Sequence, residues 1–258
     1  MSSADATRAE QLDGHAGAYS KAFPHFEENH VVHEAYGLRI AARLQQEGAR
    51  QVLSLGIGHM AVARPIVELL RAGQLARYVI VDAAPAIIQS FAAQMQPLPP
   101  GLELVESFFE QLPPTFGPFD AIEAGFVLEH VDDPASLLRS MRGFIAPAGR
   151  LHVAVPNARS LHRLLGHEAG LLPDLYALSD ADRALGHRRY FDVPRLQSLA
   201  VDCGWQVQSS AGLILKPFTT GQLDQLGLPP AVWRALQTLA EPYPEIANAF
   251  CMELSPCA

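Results

Sequence analysis

Residues Gln51 to Asp82, QVLSLGIGHMAVARPIVELLRAGQLARYVIVD, decide the fold, because they describe a strand, a glycine turn, a helix and a second strand. The apolar run before Gly56 suits a buried parallel strand, and Gly56 and Gly58 allow a tight turn whose backbone can approach a ligand. The next segment has apolar residues at helical spacing and ends near Gly73. Asp82 closes a second β-branched run, where a carboxylate can accept hydrogen bonds from a ribose diol. The stretch therefore predicts a nucleoside-binding site.

The glycine turn also satisfies a relaxed dinucleotide fingerprint, with Ala61 in the last position. A dinucleotide needs its pyrophosphate against the helix N-terminus, and His59 and Met60 bring bulky side chains to that point. An NAD-dependent oxidoreductase is therefore a distant alternative, and later segments decide between the two.

Four later segments follow in order: LVESFFEQLP (104–113), FDAIEAGFVLEHVDDPASLLRSM (119–141), GRLHVAVPNARSLHRLLG (149–166) and GHRRYFDVPRLQSLAVDCGWQV (186–207). Together with the glycine turn and Asp82, they resemble class I S-adenosylmethionine (SAM) dependent methyltransferases. The resemblance is strongest to the ubiquinone-biosynthesis O-methyltransferases and the small-molecule methyltransferases of bacterial secondary metabolism. It covers most of the chain from about Gln51 onward.

The resemblance implies an α/β fold with a Rossmann-like, doubly wound sheet of seven mostly parallel strands and an antiparallel last strand. It places a tail and a helical N-terminal cap at 1–47 and the SAM-binding domain at 48–258. Residues 157–187 would be a lid or substrate-binding insertion after strand five, since they exceed a simple strand-to-helix link.

Local patterns predict the remaining elements. Residues 16–46 look helical, and apolar runs predict strands at 102–105, 121–124, 151–155, 207–214 and 249–254. The Pro- and Leu-rich stretch 217–245 predicts one helix around Ala231 to Leu239.

The resemblance also implies a set of SAM contacts: Gly56, Gly58, Asp82, Ala83, Phe108, Phe109, Glu123 and Tyr19. The chain departs from the family at three places, since Ser54 replaces an acidic residue, Met60 replaces the third glycine and Phe108 aligns with an adenine-binding aspartate. Phe108 or Phe109 could pack against the purine, and two core phenylalanines are an equal alternative.

Methyl transfer requires a nucleophile held in line with the C–S bond, water kept out and, for an alcohol or phenol, a base. The candidate catalytic residues are His130, His187 and Tyr176, because histidine titrates near neutrality and an aromatic face can lie over a sulfonium. The candidate substrate contacts are Asn157, His162 and Tyr190. For each histidine, the alternative is a capping or surface role.

Three functional hypotheses remain open. The first is O- or N-methylation of a small molecule with SAM. The second is another use of SAM, either aminocarboxypropyl transfer or intramolecular cyclisation, which would release methylthioadenosine. The third is a non-catalytic subunit with this fold that binds a partner protein.

Composition narrows the partners of the 258-residue chain. A formal net charge of −8 disfavours nucleic acid, and no apolar run reaches the length of a membrane span. Three cysteines without CxxC spacing support neither a disulfide framework nor a zinc knuckle, and the histidines of HFEENHVVHE (25–34) match no strong metal signature. We therefore predict a cytoplasmic enzyme with a small-molecule substrate, no metal and a possible homodimer.

Overall fold

The computed structural model describes residues 26–257. Within this range the strands are β1 (Gln51–Leu55), β2 (Arg77–Asp82), β3 (Leu102–Glu106), β4 (Phe119–Gly125), β5 (Ile145–Pro156), β6 (Trp205–Gly212) and β7 (Ala249–Pro256). These seven strands form one sheet in the order β3-β2-β1-β4-β5-β7-β6. The first five run parallel, and β7 lies antiparallel between β5 and β6. The predicted α/β fold with an antiparallel last strand is confirmed.

Helices cover both faces of the sheet. Their bounds are α1 (Phe26–Glu47), α2 (Met60–Arg71), α3 (Pro85–Gln94), α4 (Pro134–Met141), α5 (Leu161–Glu168), α6 (Asp180–Ala184), α7 (Val193–Asp202), α8 (Thr220–Gln225) and α9 (Pro230–Ala240). The prediction of a single helix within 217–245 was wrong, because α8 precedes the predicted helix α9. The segment of α8, TGQLDQ, is too short and too polar to show a helical period.

The alternation of side chains along the strands builds two cores. Val79 and Val81 of β2 point into one buried cluster together with residues of α4 and α7, such as Leu138. Tyr78 and Ile80 point to the opposite face, into a cluster with residues of α1, α2 and α3. Because both faces of a parallel strand are buried, the strand is apolar throughout, which is why β1 and β2 were visible in the sequence.

Helix α1 lies against the start of α2. A Cβ at Gly37 would come within 2.3 Å of the carbonyl oxygen of Ala61, so only glycine permits this approach of the two backbones. The approach brings α1 beside the turn that follows β1.

Residues 157–187 contain α5 and α6 and connect the end of β5 to the segment before α7. The last two strands differ slightly from their predicted bounds. β6 spans Trp205–Gly212 where 207–214 was predicted, and β7 spans Ala249–Pro256 where 249–254 was predicted. No helix within residues 26–257 combines the length and the apolar character needed to cross a membrane.

Candidate active site

A cavity of about 680 Å³ lies at the carboxyl ends of β1, β4 and β5. Carboxyl ends of parallel strands are where open α/β sheets bind ligands. The predicted site residues that line this cavity are Gly56, Gly58, Glu123, His130, Asn157, His162, His187 and Tyr190. Eight predicted residues from distant parts of the sequence therefore line one cavity.

The glycine turn forms one wall of the cavity. Gly56 and Gly58 have φ values of +82° and +53°, a region that other residues adopt at a cost. The His59 ring caps α2, since its Nδ1 accepts a hydrogen bond from the amide of Ala61 at 3.1 Å. This side chain occupies the helix N-terminus where a dinucleotide would place its pyrophosphate.

Asp82 ties the turn to the end of β2. Its Oδ2 accepts a hydrogen bond from the amide of Ile57 at 2.9 Å, and its Oδ1 accepts one from the amide of Ala84 at 2.9 Å. A carboxylate has further lone pairs, so it can also accept hydrogen bonds from a ligand. The residue is half-buried beside the glycine turn, as the ribose-binding prediction requires.

The two candidate purine contacts have different surroundings. Ala83 and Phe108 form a small buried cluster of their own beyond the ends of β2 and β3. Phe109 instead packs against the main core, which is the alternative that the sequence left open. The cluster of Ala83 and Phe108 is therefore the better candidate for a flat apolar surface next to the ligand.

Glu123 is a buried carboxylate at the end of β4. Its Oε1 accepts a hydrogen bond from the amide of Gly125 at 2.6 Å. Burial raises its pKa to about 7, against the lowering effect of that hydrogen bond. The side chain lines the cavity, and Glu123 lies beside Ser54 of β1, the strand that leads into the glycine turn.

Glu129, His130 and His187 form a second wall. One ligand atom from each residue lies within 4.8 Å of the other two, and the two imidazole centroids are 4.9 Å apart. Glu129 is fully buried, and neither of its carboxylate oxygens has a hydrogen-bond partner among residues 26–257. Burial raises the pKa of Glu129 to about 7.

Asp182 holds the ring of His187. Its Oδ1 is 3.1 Å from Nδ1 of His187, so the other ring nitrogen of His187 is the one available to the cavity. The carboxylate also accepts hydrogen bonds from the hydroxyls of Ser179 and Tyr190, at 2.6 and 2.9 Å. Burial opposes ionisation of Asp182, but these hydrogen bonds leave its pKa well below the usual range. Burial also lowers the pKa of His187, but the hydrogen bond to Asp182 and the charges of Glu129 and Asp182 together raise it above its ordinary value.

Sequence analysis missed Asp182. A signal was present, because Ser179 and Asp182 have the spacing of a capping box, and the structure shows that box at the start of α6. The pairing of Asp182 with His187 had no such signal, since it depends on how the chain turns after α6.

Asn157 lines the cavity and also fastens two segments of the chain. Its side-chain amide donates to the carbonyls of Pro244, Glu245 and Ala247 at 3.0–3.1 Å, and its Oδ1 accepts from the amide of Arg159. These bonds use the donors and acceptor of the amide to fasten the end of β5 to the loop before β7.

The side of the cavity near α5 is basic. His162 lines it, and burial together with the nearby Lys216 and Arg163 lowers the pKa of His162 to about 3. Lys216 is 6% exposed and donates a hydrogen bond to the hydroxyl of Thr220 at 3.0 Å. Lys216 and Arg163 carried no motif in the sequence, so only the fold identifies them as cavity residues.

Among the described residues, five predicted site residues do not line the cavity: Tyr176, Asp82, Ala83, Phe108 and Phe109. The hydroxyl of Tyr176 donates to Asp192, and the guanidinium carbon of Arg195 lies 3.6 Å from the centroid of the Tyr176 ring. Tyr176 therefore packs at the start of α7, and its role beside the sulfonium stays a prediction from the sequence. Tyr19 lies outside the described residues.

The histidines of α1 lie at the cavity mouth. His33 lines the cavity and stacks on His59 with centroids 4.9 Å apart, and His30 is 5.4 Å from His59. Burial, then the charges of His33 and His30, lower the pKa of His59 to about 3.

Comparison with known proteins adds independent findings. A family model described as a methyltransferase domain matches residues 29–210. The chain is 27% identical over 190 residues to a ubiquinone biosynthesis O-methyltransferase of Xanthomonas axonopodis pv. citri (strain 306), over 69% of this chain and 72% of the relative.

Two solved structures share the fold. Magnesium protoporphyrin IX methyltransferase from Synechocystis PCC 6803, with bound SAH (S-adenosylhomocysteine), superposes with a TM-score of 0.62 at 14% identity, over 98% of this chain and 97% of that chain. The plantazolicin methyltransferase BpumL in complex with SAH gives a TM-score of 0.58 at 11% identity, over 99% and 100%.

Proposed function

The chain belongs to the class I SAM-dependent methyltransferase family, and from this premise we propose that it transfers the methyl group of SAM to an oxygen of a small-molecule acceptor. SAM is its methyl donor, and the protein is a transferase. The relative from Xanthomonas axonopodis is named an O-methyltransferase, which supports oxygen over nitrogen as the acceptor atom.

The donor would lie across the glycine turn. In this placement the ribose hydroxyls bind Asp82, the purine packs against Ala83 and Phe108, and the methionine ammonium faces Glu123. The observation that supports this arrangement is that Asp82 is already held at the turn through the amide of Ile57. A preorganised carboxylate needs little rearrangement to bind a diol.

The acceptor would occupy the remainder of the cavity, with its hydroxyl at the wall formed by Glu129, His130 and His187. The hydroxyl would give its proton to the ring of His187, and the oxygen attacks the methyl carbon. The C–S bond breaks, sulfur keeps the electron pair, and SAH leaves. Residues 157–187 supply much of the opposite wall and would keep water from the sulfonium.

One observation carries the proposal: the glycine turn and the wall of proton-accepting groups line the same cavity of about 680 Å³. This volume falls within the range of small-molecule sites. A donor bound at the turn and an acceptor bound at the wall would therefore meet without an intervening barrier.

Mass spectrometry of the products tests the proposal. We expect incubation with SAM and a panel of phenols, alcohols and amines to give SAH and an O-methylated product. His187→Ala should lower kcat at least about 100-fold while SAH binding persists, since loss of a positioned proton acceptor costs about that much. His167→Ala is the matched control, because His167 is an exposed histidine on α5.

Two results would overturn the proposal. Release of methylthioadenosine in place of SAH would show that SAM is used for another transfer or for cyclisation. Products methylated only at nitrogen would exclude oxygen as the acceptor atom.

Four further properties stay predictions from the sequence: the cytoplasmic location, a role in secondary metabolism, the homodimer and the division at residue 47.

A further inference from the structure

We propose that Glu129, His130 and His187 bind a divalent transition-metal ion at the wall of the cavity. The three residues combine one carboxylate with two imidazoles, and they come from the loop after β4 and from the segment before α7. Metal binding by this set does not depend on the identity of the acceptor, whereas the role of the metal in the reaction rests on the proposed function.

The Glu129 side chain provides the strongest evidence. It is 0% exposed, and both of its carboxylate oxygens are without a hydrogen-bond partner within residues 26–257. A buried carboxylate is normally hydrogen-bonded, paired with a cation or bound to a metal. Because Glu129 also lines the cavity, a cation arriving from the cavity could bind it directly.

The geometry of the three side chains fits a common ligand. Their ligand atoms lie within 4.8 Å of one another. Metal–nitrogen and metal–oxygen bonds are about 2.0–2.2 Å long, so neighbouring ligand atoms of one ion lie about 3 Å apart. The ligand atoms would therefore need to move closer together, by rotation of the side chains, to close the set around an ion.

The surroundings of His187 strengthen the inference. Asp182 is 3.1 Å from Nδ1 of this ring, and Asp182 is itself fixed by Ser179 and Tyr190. Histidine ligands of metals usually donate their second ring N–H to a carboxylate, which fixes the tautomer and the direction of the ring. Asp182 and His187 have this arrangement.

The donor set indicates the class of metal. Imidazole nitrogen suits Zn²⁺, Fe²⁺, Co²⁺ and Mn²⁺, whereas Mg²⁺ and Ca²⁺ prefer oxygen ligands. Three protein ligands leave further coordination positions open toward the cavity. The acceptor class is therefore a molecule whose hydroxyl oxygen can bind the ion, such as a phenol or an alcohol.

The ion would assist proton loss from the acceptor. A metal-bound hydroxyl is more acidic than a free one, so with the ion bound His187 would act as a ligand in place of a proton acceptor, and the proton would pass to solvent. The metal-bound oxygen then forms the new bond to the methyl carbon as sulfur takes the electron pair. No electron transfer takes place, and the ion keeps its charge.

Titration of EDTA-treated protein with Co²⁺ tests the site without turnover. We expect saturable binding of one Co²⁺ per chain, with visible absorbance bands that Zn²⁺ abolishes by displacement. Glu129→Gln and His187→Gln should weaken binding at least about tenfold, and Asp182→Asn by about 10- to 100-fold. Glu168→Gln and His167→Gln, at exposed positions of α5, should bind Co²⁺ like the wild type.

Calorimetric SAH binding, measured on each variant, shows whether it is folded and separates the two proposals. The metal site is refuted if the wild type takes up no Co²⁺, or if Glu129→Gln and Glu168→Gln bind it equally. If either result refutes the metal site while EDTA-treated protein still binds SAH and methylates an acceptor oxygen, the proposed function holds without the metal. If Co²⁺ binds as expected but SAH does not, the proposed function fails and the metal site remains.

Discussion

Replacing Asp82 by asparagine should weaken cofactor binding by a calculable amount. The two carboxylate oxygens accept hydrogen bonds from different amides, those of Ile57 and Ala84, each at 2.9 Å. Asparagine keeps one oxygen and presents an NH₂ group in place of the other. One of the two amides therefore loses its acceptor and faces a second donor.

The same change removes one carboxylate oxygen from the proposed ribose contact, and the magnitude follows from the value of a hydrogen bond between a ribose hydroxyl and that oxygen. A hydrogen bond to a charged group contributes about 1.5–3 kcal/mol, and about 1.4 kcal/mol corresponds to a tenfold change in a dissociation constant. We therefore expect Asp82→Asn to raise the Kd for SAH by about 10- to 150-fold. Loss of the charge facing the ribose hydroxyls acts in the same direction.

Isothermal titration calorimetry with SAH provides the assay, and Glu106→Gln provides the matched control. Glu106 stands opposite Asp82 in the register of β3 and β2, is exposed, and undergoes the same chemical change. Its variant should bind SAH like the wild type. If Asp82→Asn also bound SAH with unchanged affinity, Asp82 would neither shape the turn nor contact the ribose.

Three further predictions concern the wall, the helix cap and the sheet end. Asp182→Asn should lower kcat at least about tenfold without changing SAH affinity, because it loosens the ring of His187. The folded state keeps His59 neutral, with a pKa of about 3 against 6.5 for an ordinary histidine, so protonation in the unfolded chain should reduce stability as pH falls from 6.5 toward 3. His59→Asn retains a capping side chain and should show a shallower fall in urea midpoints. Gly125→Ala should destabilise the protein by about 1–3 kcal/mol in urea unfolding, since its Cβ would lie 2.1 Å from the Tyr36 ring.

Matched variants separate these effects from general damage. Gly221→Ala adds the same methyl group where no atom lies within 4 Å, and it should leave stability unchanged or higher. Equal stability of the Gly125 and Gly221 variants would contradict the packing argument. An unchanged pH dependence in His59→Asn would show that this ring does not titrate as described.

The strands of the sheet could be predicted from the sequence because they are buried on both faces. Val79 and Val81 serve one core and Tyr78 and Ile80 the other, so β2 is a continuous apolar run bounded by polar residues. Helix α8 was missed because a helix of this length and polarity shows no periodicity. Helices α5 and α6 were covered only as an unspecified insertion, for a similar reason.

The sequence identified site residues where a residue stands at or just after the end of a strand. Gly56, Gly58 and Glu123 stand at strand ends, and the fold alone brings them to the cavity. Tyr176 does not line the cavity, and its aromatic type was the only sequence evidence for placing it there. Lys216 was invisible to sequence analysis because its place in the cavity depends on tertiary packing.

The most direct measurement of the central claim is a crystal structure of the protein with SAH. The account predicts the sugar hydroxyls at Asp82, the nucleoside across Gly56 and Gly58, and the sulfur turned toward Glu129 and His187. SAH bound elsewhere, or bound at the turn with its sulfur facing away from that wall, would contradict the proposed path of the methyl group.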